Sequence, residues 1–430
     1  MATIPAPAPS LGRSALPLGA LAVAMAVGFT LMQSFSTVQE GAKAELGLSD
    51  TTLSLIQGVA AAVPLAVFSV PIGILVDRWN RVRLLLGLAA LWTVGTVLTA
   101  YASGTSALFA ARMMTGIGTT GALTAALSLG ADLCLPEQRG RALLIVSLGK
   151  VAGTAAAFAL GGALYGIFSG GLGGFAPWRA VHLALAAIGT ACLLPLLFLR
   201  EPPRREVAAA VGAPLRVIAG ELWARRRFLI PLFIGQVSVV MADVAATIWA
   251  APVLGREFGL RPDQFAGWMG ALLLGVGVGG AVLGGLAADW GQKSGRRGGI
   301  LLGAVIAATI GVPASLFPIT GAVPLFAVAF GTLMLCGTVT GLITSVALTV
   351  LIPNEARGLC IGLFIAVAGV IGFGVSPTLV AWVSTLLGGE GELAPALAIV
   401  GVVTSIASVI AFALALRNAP LSATNLSDSI

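Results

Sequence analysis

A single histidine, His182, serves a chain of 430 residues, and four cysteines are all that accompany it. Histidine and cysteine supply most general bases, nucleophiles and zinc ligands, so their scarcity removes most catalytic constellations at the outset. Cys134, Cys192, Cys336 and Cys360 show no CxxC spacing and read as packing residues; His182 reads as a packed or interfacial one. No GxxxxGK[ST] or HExxH run occurs. The chain is therefore expected to be no enzyme and to hold no metal or cofactor. Charge is equally scarce, at 10% of residues, where soluble domains carry about a quarter. A net charge of +7 would fit a nucleic-acid partner, but the basic residues collect in short turns, a mark of membrane orientation instead. No nucleic acid is expected.

What fills the chain is apolar: 58% of residues are hydrophobic and the mean hydropathy is +1.02. Repeated apolar stretches of about 20 residues are what a bilayer-crossing helix requires. The 57 glycines let such helices approach closely where lipid offers no hydrophobic drive. The pattern predicts helices over 17–38, 51–76, 83–102, 106–132, 141–168 and 178–199, then over 228–254, 262–288, 299–318, 322–351, 357–386 and 394–416. The expected fold is an all-α membrane protein of twelve transmembrane helices in two pseudo-symmetric six-helix bundles, 17–199 and 228–416. Tails over 1–16 and 417–430 and an arginine-rich linker over 200–227, with an interfacial helix in it, complete the division. The first apolar run, behind Arg13, has the look of a signal peptide. Its removal would leave an odd number of spans.

Orientation follows from the basic residues. Placing 1–16 in the cytoplasm leaves only Lys43, Arg179, Arg256 and Arg261 outside, with Arg112 and Lys150 inside the membrane. Both termini then face the cytoplasm, in an integral multi-pass protein of the plasma (inner) membrane, expected to be monomeric and surrounded by lipid. Two turns also repeat between the halves. Gly73-Ile-Leu-Val-Asp77-Arg78-Trp-Asn-Arg81-Val-Arg83 is echoed by Gly285-Leu-Ala-Ala-Asp289-Trp-Gly-Gln-Lys293, and Pro136-Glu-Gln-Arg139-Gly140-Arg141 by Pro353-Asn-Glu355-Ala-Arg357-Gly358. Such duplication suits a carrier built from two similar membrane halves.

The first turn, its weaker copy and the run Arg112-Met-Met-Thr-Gly116-Ile-Gly118 resemble the major facilitator superfamily, over essentially the whole chain. Within it, Lys43-Ala-Glu-Leu-Gly-Leu-Ser-Asp50, Leu127-Ser-Leu-Gly-Ala-Asp132, Trp178-Arg179 and Arg200-Glu-Pro-Pro-Arg204 resemble the spinster-like transporters. The resemblance implies that the first, fourth, seventh and tenth helices line a central cavity. The pattern also departs from that group. Spinster-like members carry an Asp-Arg pair in the first helix and a glutamate in the fourth; this chain has Leu31 and Met32, followed by Gln33, and Thr119. The group's proton coupling and lipid substrates therefore do not carry over with the motif.

Gly73 is expected to let the second helix approach a neighbour from the other half, with Asp77 on the same helical face accepting from the start of the eleventh helix near Arg357. Arg78, Arg81 and Arg83 complete a charged latch, and Asp289 with Arg139 and Arg141 repeats it. A latch that holds one face closed biases an inward–outward equilibrium. Paired glycines, among them Gly149, Gly153, Gly161, Gly162, Gly362 and Gly372, suggest close packing between the halves.

Charges inside a bilayer are costly and default to function. Lys150 lies about nine residues into its helix, roughly 14 Å at 1.5 Å per residue, and Asp243 stands near the middle of another. Arg112 and Lys150 are expected to attract an anionic group, and Asp243 to take a coupling proton or pair with a cation. Gln33, Gln57, Gln236, Trp249 and Thr344 complete the expected substrate wall, among further serines and threonines such as Thr340. The expected function is secondary transport of a small organic anion or amphiphile by alternating access, proton-coupled or by exchange. Efflux of hydrophobic compounds or lysolipids, and a non-transporting sensor on the same fold, are the alternatives.

Overall fold

The computed structural model describes residues 11–12, 14–204 and 215–420. Arg13 and Arg205, which contribute to the expected orientation, lie outside the described residues, as do most of both tails. Among the described residues the secondary structure is helical, with one isolated β-bridge between Leu172 and Phe175.

Helix α1, Ala15–Leu46, is interrupted at Ser34 into Ala15–Gln33 and Phe35–Leu46. Helix α2, Asp50–Arg78, starts where the Ser49 hydroxyl accepts from the backbone N–H of Thr52 at 3.1 Å, an N-cap. It widens into π turns at Leu55–Val59 and Pro64–Phe68. Pro64 has no N–H to give and its ring crowds the carbonyl one turn back, which loosens the helix there. The carbonyl of Ala60 faces Gly116, where a Cβ would stand 3.0 Å away. Helix α3, Arg81–Tyr101, is capped by Asn80, whose side chain accepts from Arg83 N at 2.8 Å. Helices α4, Thr105–Asp132, α5, Arg139–Ile167, and α6, Pro177–Leu197, follow. A short helix α7, Leu215–Ala224, falls inside the segment expected as linker. Then come α8, Arg226–Phe258, α9, Pro262–Lys293, α10, Leu302–Ala314, α11, Val323–Leu351, α12, Asn354–Leu387, and α13, Leu393–Asn418.

Eleven helical segments are long and apolar enough to cross a membrane. The 28-residue α4 is not among them. It is long enough, but Arg112, Thr115, Gly116, Gly118, Thr119, Thr120 and Thr124 dilute its apolar character. The protein is thus an all-α, multi-span membrane protein, with α4 the element in which polar and small residues displace leucine and valine.

The chain divides into two compact units: Met1–Ala208 with Leu254–Leu274, and Ala209–Val253 with Gly275–Ile430. This differs from a clean cut in sequence, because the end of α8 and the start of α9 pack with the first unit. Gly162 of α5 makes that packing possible: a Cβ there would stand 2.5 Å from the carbonyl oxygen of Pro262. Gly270 repeats it, at 2.7 Å from the carbonyl of Ala155. Gly149 and Gly153, expected at a packing surface between the halves, instead close α5 on α1, with the carbonyls of Ala22 and Ala26 pressed against them. The first unit is centred on the fully buried Trp92, which covers Gly28. In the second, the rings of Phe317, Phe326 and Phe330 pack at centroid distances of 5.0 to 6.0 Å.

Candidate functional site

The break in α1 organises the polar interior of the first unit. Ser34 N–H still reaches Thr30 O at 2.9 Å, but Thr37 N–H then closes a tighter turn on Ser34 O at 3.1 Å, and carbonyls just before the break accept from a side chain. Arg112 of α4 takes two of them: its Nη1 donates to Leu31 O at 3.3 Å and its Nη2 to Met32 O. The guanidinium also lies over the Phe35 ring, 5.2 Å from its centroid, a cation–π contact in a desolvated setting. Thr119 donates to Gly28 O at 3.2 Å. So at the two positions where spinster-like members carry an acid, this chain offers backbone carbonyls and a hydroxyl.

Beside the break, Gln33 Nε2 donates to Thr154 Oγ1 at 3.1 Å, and Lys150 Nζ stands 5.4 Å from the Phe29 ring centroid. Lys150 is exposed on its helix. Gln57 is buried in a closed loop: Ser36 Oγ donates to its Oε1 at 2.8 Å, and its Nε2 donates to Gln39 Oε1 at 2.5 Å. In the second unit Thr344 donates to Gln236 Oε1 at 3.0 Å, and Trp249 Nε1 donates to Pro377 O at 3.2 Å. Of the expected substrate wall, the structure therefore gathers Gln33, Arg112 and Lys150 around the α1 break. Gln57, Gln236, Trp249 and Thr344, like Gln33 and Arg112, are tied to protein partners.

Asp243 sits midway along α8 in the second unit. Its carboxylate lies so close to Gly337 of α11 that a Cβ there would collide with it. Its Oδ1 is buried and makes no hydrogen bond. His182 is fully buried, with Nδ1 at 2.7 Å from Trp178 O. The four cysteines are free and buried.

The motif turns are placed as follows. A Cβ built at Gly73 meets nothing within 4 Å, so no neighbour closes on it in this structure. Asp77, Arg78, Asp289 and Arg141 are exposed, and Arg139 is half-buried. Arg357 donates to Ile352 O at 3.3 Å in its own helix start. Arg81, expected on the surface of a latch, is instead 2% exposed at the centre of an ion cluster of the first unit. It donates to Asp132 Oδ2 at 2.5 Å and to Glu201 Oε1 at 2.7 Å. Nearby, Arg204 caps the end of α2 by donating to the carbonyls of Val76, Asp77 and Trp79.

A second ion cluster is built on Arg256. Both carboxylate oxygens of Asp50 and of Glu40 accept from its guanidinium, at 2.6 to 3.1 Å, and Lys43 Nζ adds 2.6 Å to Asp50. Five residues after Glu40, Glu45 accepts from Trp178 Nε1 at 2.6 Å and Arg179 Nε at 2.9 Å. Neither cluster was read as a cluster from sequence, which placed Arg81 in the latch and Arg256 only on the outer side. The signal was nonetheless present, since Asp50, Asp132, Trp178, Arg179, Glu201 and Arg204 all lie in the short motif runs, and the structure joins them run to run.

The sequence matches the Major Facilitator Superfamily over residues 18–373. It is 31% identical over 217 residues to the 3-(3-hydroxy-phenyl)propionate transporter of Escherichia coli (strain K12), covering 50% of each chain. It is 30% identical over 251 residues to the chloramphenicol resistance protein of Streptomyces lividans, covering 57% of this chain and 60% of that one. Protein spinster homolog 1 of Homo sapiens is 26% identical over 257 residues, 58% of this chain and 47% of that one. The matched stretch spans about half the length of these curated relatives. In structure the chain is similar to a bacterial homolog of the human lysosomal transporter Spinster, in its inward-facing and unoccupied conformation. The TM-score is 0.79 at 22% identity, over 94% of this chain and 96% of that one. A D-xylose-proton symporter gives 0.67 at 17% identity, over 92% and 97%. Those two are likenesses of fold. With the family match running over 18–373 and polytopic helices to match, the chain belongs to the Major Facilitator Superfamily of transporters.

Proposed function

We propose that the protein is a secondary transporter exporting hydrophobic or amphiphilic organic solutes by alternating access, with twelve spans, α4 included, in two six-helix bundles. The reading extends to a monomer in the plasma membrane with cytoplasmic termini. The observation that carries the choice of solute is Arg112. An arginine inside the membrane is the natural partner for an anionic solute, but here the guanidinium is committed to two backbone carbonyls and the Phe35 face. The organic-anion expectation loses its strongest donor. Gln57 is likewise spent on Ser36 and Gln39, and Gln236 and Thr344 on each other. A mild wall of small and aromatic residues with few free donors suits apolar surface better than a many-hydroxyl or many-charge ligand. The printed descriptions of relatives support this direction: a chloramphenicol resistance protein, an efflux pump of Mycolicibacterium smegmatis and a spinster homolog are among them.

One observation favours a second reading. Lys150 stands exposed over Phe29, a cation beside an aromatic face, and the Escherichia coli relative is described as carrying an aromatic propionate. An aromatic carboxylate would use both groups. In either case Asp243 is read as the coupling group that takes a cation, the proton in the simplest form, with exchange as the other driving mode. Gly73, Asp77, Arg78, Asp289, Arg139, Arg141 and Arg357 remain the proposed gating turns.

The test is flux in proteoliposomes loaded with a neutral amphiphilic dye or with an aromatic carboxylate. Efflux of the neutral compound that Lys150→Ala leaves intact supports the first reading. Movement of the carboxylate alone, abolished by Lys150→Ala, replaces it with the second. Tight binding of either without movement would make the protein a sensor.

A further inference from the structure

Asp243 opens on a small cavity inside the second unit, between α8, α10, α11 and α13. About 10 Å³ is free to the centre of a water-sized sphere, room for one water or one small ion. Thr340, Ser405 and Ser408 give it oxygen, Cys336 gives it sulfur, and alanine, glycine, valine and leucine supply the rest.

The protons of these hydroxyls are already committed. Thr340 donates to Gly337 O at 2.9 Å, and Ser408 donates to Ser405 O at 2.7 Å. Ser315 and Ser405 are 2.7 Å apart, and Ser315 gives its proton to Gly311 O at 2.8 Å, so Ser405 is the donor between them. A hydroxyl has one proton and two lone pairs. Thr340, Ser405 and Ser408 therefore turn lone pairs, and no proton, toward the cavity. Asp243 lines it and has its Oδ1 buried without a hydrogen bond, and Cys336 adds only a weak thiol donor. The wall is an array of acceptors around a carboxylate at membrane depth.

A lone carboxylate in such a place is strongly disfavoured unless its charge is matched. One carboxylate with neutral oxygens balances a single positive charge, and hard oxygen ligands suit a small cation that sheds water to fit. We propose that this cavity is a sodium site, with Asp243 as the charged ligand and the hydroxyl oxygens of Thr340, Ser405 and Ser408 as neutral ones. Gly337 is part of the construction, because any side chain there would occupy the space of the Asp243 carboxylate. Cys336 is the other titratable group facing the cavity from the packed helices. The inference deepens the reading of Asp243 as the coupling group, replacing the proton by Na⁺ as the cation it takes.

The experiment measures binding, apart from transport. Purified protein in detergent is melted across a titration of NaCl, with choline chloride holding ionic strength constant, at one neutral pH. The expected result is a saturable rise in melting temperature with Na⁺ that choline does not reproduce. Asp243→Asn should abolish the rise. Thr340→Val, which keeps the volume and removes one ligand, should raise the half-saturating concentration about tenfold, equivalent to about 1.4 kcal/mol; Ser408→Ala should act in the same direction. Should Asp243→Asn fail to fold, the two hydroxyl variants decide. A melting temperature indifferent to Na⁺ in the wild type overturns the site, as does a Na⁺ response unchanged in Thr340→Val and Ser408→Ala. Flux that ignores a sodium gradient while binding persists would leave the site standing and remove Asp243 from coupling.

Discussion

Arg256 and Asp50 face each other in two parallel hydrogen bonds, Nη1 to Oδ2 at 2.6 Å and Nη2 to Oδ1 at 2.7 Å. The same guanidinium grips Glu40 through Nε and Nη2. Asp50 has a side-chain exposure of only 3%, so this is a desolvated pair on a planar fork. It fastens the end of α8 to the turn between α1 and α2, and with the glycine contacts of Gly162 and Gly270 it accounts for Leu254–Leu274 belonging to the first unit.

Removing that arginine takes two hydrogen bonds from Glu40 and leaves the buried Asp50 to Lys43. Arg256→Ala is expected to lower stability by about 3 kcal/mol, and Arg256→Lys to recover only part, since an ammonium cannot hold both carboxylates bidentately. Thermal unfolding of the purified variants in detergent checks the order wild type, Lys, Ala. Equal melting temperatures for all three would show that the cluster contributes nothing to the fold.

Arg81 uses three of its nitrogens in different directions, toward Glu201, Asp132 and the carbonyl of Pro202. Arg81→Gln should therefore cost about 3 to 5 kcal/mol, as expected for breaking a buried ion cluster at its centre. The triple replacement with Asp132→Asn and Glu201→Gln should recover much of the loss, because no charge is then left unpaired. Comparison of expression level and melting temperature between the single and triple variants tests this.

The α1 break predicts a difference between two cations of the same unit. Arg112→Gln unties the carbonyls of Leu31 and Met32, and should reduce flux of neutral and anionic solutes alike. Lys150→Ala touches no backbone and should act only where the solute carries a negative charge. If Arg112→Gln left transport of both solute types at wild-type rate, a positioning role for Arg112 would be wrong.

Two glycines in superficially similar helical settings should behave oppositely. Gly153→Ala drives a methyl group into the carbonyl of Ala26 and is expected to cost about 1 to 3 kcal/mol by overpacking. Gly73→Ala meets open space and should be neutral or slightly stabilising, up to about 1 kcal/mol from helix propensity. A Gly73→Ala variant that melts like the wild type yet transports poorly would support the latch as a device of another conformation.

Much of the architecture was legible in the chain. Each predicted helix has its counterpart, most within about five residues at the ends, although the first is broken at Ser34 and runs on to Leu46, eight residues past its expected end at 38; a short helix at Leu215–Ala224 falls in the expected linker. The motif runs were also visible as motifs. What each residue in them does was not. Arg81 reads in sequence like its exposed neighbours Arg78 and Arg83, and only the arrival of Asp132 and Glu201 from distant turns makes it interior. Gly149 and Gly153 were recognisable as contact glycines, but their partner proved to be α1. Asp243 stood out as a charge at membrane depth; that the neighbouring hydroxyls offer it lone pairs depends on Thr340 of α11 and Ser405 and Ser408 of α13.

By itself the sequence determined that the chain is an all-α, multi-span membrane protein and roughly where its helices run, because a bilayer demands about 20 apolar residues per span and an internally satisfied backbone, and both conditions are local. The tertiary structure alone decided which face of each helix meets which neighbour, and hence which polar groups are free and which are spent. That outcome depends on rotation about each helix axis and on residues hundreds of positions away, to which hydropathy along a chain is blind.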